Sequence, residues 1–483
     1  MNRSAARTGL ACSILGLLPF TPAGAADREM APIIVTASRT AETADETLAS
    51  VTVIDRETIE KSQATDITEL LIGIAGINLS ANGGDGKNKS LFLRGTNSNH
   101  TLLLIDGIRI GSATLGSPSW SLIPLHDIER IEVVRGPRSS LYGSDAIGGV
   151  IQIFTRKGGE GLRTSTEAGY GTDNHYKLEG SLSYGNESSR FRLAISKEET
   201  DGYDVRPAIE QDDDGFDSLG INGSFSHKFT DRLELSGNIL RSDGENEFDG
   251  NSFSGNLTEF IQQSAGLALT ADVTDGWKST LRFGESRDFS KNFFNDTFVN
   301  KFDTQRRQIA WENSIDLNDS NQIVAGVDYY KDEINATTDY AETERDNKAL
   351  FGQYRYFGER HDLQLGLRYD DNEQFGDQTT GNIAWGMEVM ENLRFTASAG
   401  TAFKAPTFND LYWPSSPWSS GNPDLVPEKS RSYELGLSGQ HAGVHWSART
   451  YRSNIKNLIN WACTDLCTDS DPFNDFWQPS NVD

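Results

Sequence analysis

From Arg163 onward the apolar residues of this chain recur at every second position, segment after segment, and that rhythm limits the fold more than any single motif. Tyr176–Tyr184 reads YKLEGSLSY, and the alternation returns in Phe191–Ser196, Leu219–Phe229, Ile323–Tyr330, Leu363–Tyr369 and Val444–Tyr451. With a first strand near Thr164–Tyr170, the pattern predicts roughly fifteen strands. Short turns such as Thr230-Asp231-Arg232 and Gly358–His361 alternate with longer acidic connections, the arrangement of a barrel with turns on one side of a membrane and loops on the other. After the N-terminus no apolar run reaches the ~20 residues of a membrane helix. A spanning strand needs only ~9–11 residues, with alternate ones apolar. A soluble β-sandwich would not need so many strands of membrane length, nor aromatics repeatedly at strand ends. The expected fold is a transmembrane antiparallel β-barrel.

The residues ahead of the strands follow other patterns. Arg3 and Arg7 precede an apolar Leu10–Phe20 and the small residues Ala23-Gly24-Ala25, so residues 1–25 read as a secretion signal. A helical anchor would need a longer apolar run. Residues 26–40 hold one isolated apolar word, and residues 41–157 read as a compact α+β globule. Strands are predicted at Thr52–Ile54, Leu91–Arg94, Thr101–Ile105, Ile131–Val134 and Val150–Thr155, with helices over Asp55–Ser62 and Thr65–Gly73. Residues 158–483 form the barrel. A glycine-punctuated globule ahead of a long antiparallel array is the layout of a barrel with a plug in its lumen.

The formal net charge of −26 excludes a nucleic-acid partner by electrostatics. It suits acidic loops that recruit divalent cations, and equally a surface that is merely soluble. Cys12 leaves with the signal. Cys463 and Cys467, in WACTDLCTDSD of an exported chain, are predicted to form a small local disulfide. A zinc site is the alternative, although no second Cys/His pair accompanies them. His100 and His126 lie singly, with no nucleophile motif beside them, so no enzymatic activity is expected.

Five words carry a family resemblance: PIIVTASR (Pro32–Arg39), FLRGTNSNHTLLLIDGIRI (Phe92–Ile110), RIEVVRGPRSSLYGSDAIGGVIQI (Arg130–Ile153), FKAPTFNDLY (Phe403–Tyr412) and NPDLVPEKS (Asn422–Ser430). They resemble the TonB-dependent outer-membrane receptors, from about residue 30 to the last residue. Within that family TNSNH, GSDAIGGV and the acidic DGYD…DDDGF segment resemble the corrinoid (cobalamin) receptors. The resemblance implies a Gram-negative outer-membrane location, TonB as partner and a plug that moves for a bulky ligand. It also implies twenty-two strands, whereas this chain stops at Gln478–Asp483 in what reads as a loop. An unclosed sheet exposes two hydrogen-bonding edges to lipid. The sequence therefore reads as C-terminally truncated, with about seven strands beyond it, and the functional expectations refer to the full-length parent.

By the same resemblance Pro32, Ile33, Ile34, Val35, Thr36 and Ala37 match the TonB box. An extended β-branched segment can add as a strand to a partner's sheet edge; taken alone, the same six residues read as a plug edge strand. Arg94, Arg135 and Arg138 are expected to latch the plug to lumen carboxylates, with Glu312 and Glu434 as the partners, because a buried charge needs a counter-charge. Asp204, Asp212, Asp214 and Asp249 align with the corrinoid receptors' calcium-binding loop residues, in a run that also holds Asp213. Calcium takes six to eight oxygen ligands, so such loops would be ordered by a structural Ca2+. The plain alternative is a solvated acidic loop. Phe248 stands where those receptors carry a tyrosine. The family's ligand rests on apical plug loops, here Asn82–Ser90 and Gly111–Trp120, which makes Lys87, Asn88, Lys89, Ser90, Leu115, Gly116 and Ser117 the ligand-binding candidates. The first loop lacks the spacing of a phosphate loop.

These readings converge on TonB-dependent transport of cobalamin by a monomer embedded in outer-membrane lipid and lipopolysaccharide. Lys87 and Lys89 favour an alternative, a ferric siderophore or other anionic metal chelate. A reading of a different class is a surface adhesin or a phage or bacteriocin receptor without uptake. Val35→Pro separates them, since a transporter loses uptake and keeps binding while an adhesin is indifferent.

Overall fold

The computed structural model describes residues 33–34, 36–43, 46–208, 210–441, 444–465 and 475–482. The expected secretion signal at 1–25 lies outside these. The N-terminal globule begins with two short strands, β1 (Ile33–Ile34) and β2 (Glu42–Thr43), paired antiparallel. Then come β3 (Ser50–Asp55), α1 (Arg56–Ser62), α2 (Ile67–Leu71), the hairpin β4 (Ile77–Ala81) and β5 (Lys89–Leu93), and β6 (Thr101–Ile105). β7 (Ile108–Ile110), β8 (Ile128–Arg135), α3 (Ser139–Tyr142) and β9 (Gly149–Thr155) complete it. Its central sheet runs β3-β8-β9-β6-β7, with β6 and β9 parallel.

Local chemistry starts the two longer helices. Asp55 caps α1 through Thr58 N (2.8 Å), and Asp66 caps α2 through Thr68 N (2.6 Å), each satisfying an otherwise unpaired amide. The apolar faces of these helices, through Ile59, Ile67 and Leu71, pack on Ile105, Ile131, Val133 and Ile151 of the sheet to form the plug core.

The second body is one sheet of fifteen sequential antiparallel strands among the described residues. These are β10 (Gly161–Tyr170), β11 (Tyr176–Gly185), β12 (Ser189–Thr200), β13 (Phe216–Thr230) and β14 (Leu233–Asn251). Next are β15 (Gly255–Thr274), β16 (Trp277–Phe294), β17 (Thr297–Asn318), β18 (Asn321–Ala336) and β19 (Glu344–Phe357). The last five are β20 (His361–Asn372), β21 (Gly376–Met390), β22 (Leu393–Lys404), β23 (Glu428–His441) and β24 (Val444–Lys456). Between β22 and β23 a short helix α4 (Phe408–Tyr412) folds inward, closed by a Thr407/Asp410 capping box.

The alternation is inverted relative to a soluble sheet. On β20, Leu367 and Tyr369 are 62% and 44% exposed, while the alternate residues Arg368 and Asp370 are fully buried. Leaving a Leu in water forgoes about 1.5–3 kcal/mol of burial; repeated around the sheet, that loss is offset only by lipid. The polar face meets the plug. The chain therefore forms a plugged barrel wall rather than a sandwich.

The structure corrects three sequence expectations. Gln478–Val482 is not loop: Phe476–Val482 forms β26, paired with β25 (Leu458–Asp465) in a separate hairpin. Cys463 thus sits in a strand opposite Trp477. Finally, the β strand of the apolar N-terminal word ends at Ile34, and Thr36–Ser38 turn away from it.

Candidate ligand chamber and plug latches

A cavity of about 410 Å³ lies between the plug apex and the inner wall of β14–β16. Asn82, Asn88, Leu115 and Trp120 line it from the plug, and Asn246, Phe248, Phe260 and Asn292 from the wall. Aromatic faces beside amides suit a large planar ligand with an amide rim. Lys87, Asn88, Lys89 and Leu115 are thus brought to one chamber, whereas Ser90, Gly116 and Ser117 are not among its lining residues. Ser90 pairs with Ser80 in the β4–β5 hairpin. Gly116 (φ +74°) lies so close to α4 that a Cβ there would stand 2.6 Å from Thr407 Cγ2, and the Ser117 carbonyl accepts from Ser112 N (3.1 Å).

The two lysines are corrected as sources of ligand charge. Lys87 is 3% exposed, and its ammonium donates to the carbonyls of Asp214 (3.0 Å) and Gly215 (3.1 Å) and to Asn246 Oδ1 (2.9 Å). Desolvation pulls its pKa down to about 8 against the fields of Asp214, Asp85 and Glu247. The Lys89 ammonium pairs with Asp66, the α2 cap. A buried ammonium must be internally satisfied, so neither offers a free cation to the chamber.

The acidic residues gather above this point, but not on two loops: Asp249 belongs to the top of β14. Asp214 is buried and its carboxylate accepts from Val205 N (3.0 Å). Asp204 Oδ1 and Asp249 Oδ2 are buried without a hydrogen-bond partner. Partial desolvation and the fields of Glu210, Asp214, Asp249 and Asp204 raise the Asp212 carboxyl. Among the described residues no three Asp, Glu, His or Cys side chains are already spaced to hold a metal ion. The donor set nevertheless fits a hard cation: two orphaned carboxylate oxygens and mutual repulsion are what a divalent ion relieves.

At the far end of the plug, the described part of Pro32–Ala37 is docked. Pro32 and Val35, and the side chain of Ile33, lie outside the described residues. Ile34 and Ala37 are buried against Ala49 and Val134. Thr36 donates its amide (2.8 Å) and its hydroxyl (2.6 Å) to Glu132, and Tyr142 donates to the Thr36 carbonyl (3.1 Å).

Of the predicted latch residues, Arg94 pairs with Glu434 of β23 at 2.6 Å, and its guanidinium lies 4.3 Å from the Tyr451 ring. Arg135 does not reach the wall; it donates to Ala75 O (2.8 Å) and Thr52 Oγ1 (2.9 Å) within the plug. Arg138 lies in the field of Glu434 without pairing with it among the described contacts. Glu312 pairs instead with Arg39 (3.4 Å), which also holds Asp328 (3.1 Å). Sequence reasoning missed Arg39 as a latch, and with it His100–Glu428 (2.7 Å), Lys404–Asp145 (3.2 Å) and the Arg355–Glu42 pair. The available signal was charge at inward positions of alternating strands, as at Asp328, Arg355 and Arg368. Cys463 is disulfide-bonded, and Cys467 lies outside the described residues.

Comparison with known proteins agrees with this layout. The TonB-dependent Receptor Plug Domain model matches residues 43–150, and the TonB dependent receptor-like beta-barrel model matches 154–483. The chain is 39% identical over 456 residues to the Vitamin B12 transporter BtuB of Photobacterium profundum, covering 93% of this chain and 73% of that protein. It is 37% identical to the Vitamin B12 transporter BtuB of Vibrio vulnificus, with the same coverage. Among solved structures, a ferric enterobactin receptor (PfeA) mutant from Pseudomonas aeruginosa superposes with TM-score 0.76 at 18% identity, covering 93% of this chain and 77% of that one. The siderophore receptor PirA from the same organism superposes with TM-score 0.73 at 22% identity, covering 89% and 79%. At those identities the structural likeness speaks for the fold alone.

Proposed function

This chain belongs to the TonB-dependent receptors of the Gram-negative outer membrane, and from that premise we propose that it imports cobalamin, energised through TonB. The observation that carries the substrate is the match to vitamin B12 transporters at 37–39% identity across 93% of the chain. The siderophore receptors share the fold but only 18–22% identity. The chamber supports the same choice. Its amides and aromatic rings suit a large corrinoid with an amide rim, and the lysines that favoured an anionic chelate are engaged within the protein, although Arg206, Asp214, Asp249 and Asp288 also line the cavity.

Each part then has a task. The chamber binds from outside, and the ion pairs of Arg94 and Arg39 seat the plug. The segment around Ile34–Ala37 is the handle by which force from TonB, bonded to it as an added strand, disturbs the plug. Calcium is held by Asp204, Asp212, Asp214 and Asp249 in this reading, and neutralises a cluster whose carboxylates otherwise repel. It orders the loops above the chamber. In this reading the receptor acts as a monomer among outer-membrane lipid and lipopolysaccharide, and it carries out no covalent chemistry.

The test is competition in cells whose cobalamin uptake depends on this receptor. Uptake of labelled cyanocobalamin is expected to fall with excess unlabelled cobalamin and to be indifferent to ferric siderophores. Siderophores displacing the label as well as cobalamin does would transfer the chamber to metal chelates.

A further inference from the structure

The plug is fastened to the wall unevenly. Among the described residues its ion pairs reach β11 and β12 (Glu179, Arg192), β17–β19 (Glu312, Asp328, Arg355) and β22–β23 (Lys404, Glu428, Glu434). None reaches β13–β16. That wall receives three neutral or singly charged hydrogen bonds: Lys87 to Asn246 (2.9 Å), Ser119 to Asp288 (3.2 Å) and Ser224 to the Arg156 carbonyl (3.2 Å).

The same wall connects two cavities. Below the ligand chamber a second cavity of about 360 Å³ opens at the turn that holds Glu187 and Ser188, near the short-turn end of the barrel. On β15 the inward residues run in order from one to the other. Thr258 and Phe260 line the chamber, Gln262 and Ser264 follow, and Gly266 and Ala268 line the lower cavity. β14 and β16 likewise contribute upper residues to the first cavity and lower residues to the second. Between the cavities, Gln262 Nε2 and Ser264 Oγ are buried with no hydrogen-bond partner, on side chains 5% and 1% exposed. Unpaired buried polar groups are rare and costly, and here they face the side of the lumen that none of the plug's described ion pairs reaches.

Apolar contacts close the gap: Leu240 of β14 is buried in the plug core, to which Ile108 also belongs. Ile108 of β7 seats on glycines of two adjacent strands: a Cβ built on Gly284 would lie 2.3 Å from Ile108 Cδ1, and one on Gly266 would lie 3.2 Å from it. A methyl on Gly284 would displace the tip of Ile108, whereas one on Gly266 would need Ile108 to give only by a few tenths of an ångström.

We infer that the imported molecule passes between the plug and the β14–β16 wall, with Ile108 on Gly266 and Gly284 as the constriction, while the ion-paired side of the plug stays seated. The unpaired groups of Gln262 and Ser264 offer hydrogen bonds to an amide-rich molecule on the way. The inference rests on the import reading above.

The test tethers each side separately. Ile108→Cys with Gly266→Cys closes the inferred passage when joined by a short bis-methanethiosulfonate, which forms a disulfide with each thiol as methanesulfinate leaves and is removed by reduction. Ser140→Cys with Asn382→Cys, whose side chains meet at 2.7 Å, ties the plug to β21, five strands along the sheet from β16. The native Cys463 is already disulfide-bonded. Labelled cyanocobalamin uptake and binding are measured on the same cells, before tethering, after it, and after reduction. The first tether is expected to cut uptake at least about tenfold with binding unchanged, and reduction to restore it; the second leaves uptake within about twofold. Uptake that persists through the first tether overturns the passage. Equal loss with both tethers also overturns it, since the plug must then leave as a whole. Absence of cobalamin binding before any tethering strikes the substrate reading and not the route.

Discussion

Replacing Ile34 with proline is expected to stop cobalamin uptake while leaving binding intact. Ile34 lies opposite Glu42 in the β1–β2 pair and is fully buried against Ala37, Ala49 and Val134. Proline removes its backbone N–H and fixes φ, so the segment can no longer serve as an added strand, whose bonds are backbone bonds. The chamber lies at the other end of the plug, and its lining includes none of these residues. Uptake should fall at least about a hundredfold, with ligand affinity changed less than about threefold. Ile34→Ala, which keeps the N–H, is the control and should retain most uptake. Equal uptake by the proline variant would remove the TonB-box assignment, and a receptor acting only in adhesion would show no phenotype at all.

Arg39→Ala is expected to release the same segment without any partner. Arg39 stands between Asp328 (3.1 Å) and Glu312 (3.4 Å), with its guanidinium 4.3 Å from the Phe351 ring and 4.7 Å from that of Tyr142. Asp328 keeps Arg368 at 2.6 Å, but Glu312 loses the only ion pair described for it. Leaving one buried charge uncompensated costs about 3–5 kcal/mol, less where lumen water reaches it. Even about 2 kcal/mol shifts a local opening equilibrium roughly thirtyfold. Amide exchange over Thr36–Thr43 should accelerate by that order in the unliganded receptor, and adding Glu312→Gln should recover part of the protection. Unchanged exchange would mean that the contacts of Thr36 with Glu132 and Tyr142, and of Glu42 with Arg355, hold the segment without Arg39.

Much of the wall was legible because lipid-facing and lumen-facing residues alternate within the membrane. Ile323–Tyr330 reads as a strand and lies inside β18. The same rule stops where the strands rise above the lipid. Glu245–Asn251 continues β14, but apart from Phe248 its side chains are polar there, so no period of two marks it, and Asp249 was read as loop. The β25–β26 hairpin was missed for a similar reason, since its residues pair with each other outside the main sheet. At the site, Glu434 was legible as an inward carboxylate, but the Arg39–Glu312 pair spans 273 positions and no local pattern announces it. Lys87 shows the limit most plainly. Its acceptors are backbone carbonyls 127 and 128 positions away, and a carbonyl's availability leaves no trace in residue type. A charge that looked available to a ligand is spent inside the protein.

The measurement that bears most directly on cobalamin import is equilibrium titration of cyanocobalamin into the purified receptor in detergent, first with calcium and then with EGTA. Saturable binding that weakens at least about tenfold on chelation is expected, because the ion and the ligand share the loops above one chamber. A folded receptor that does not bind cyanocobalamin in calcium would contradict the account, and affinity indifferent to EGTA would remove calcium from it.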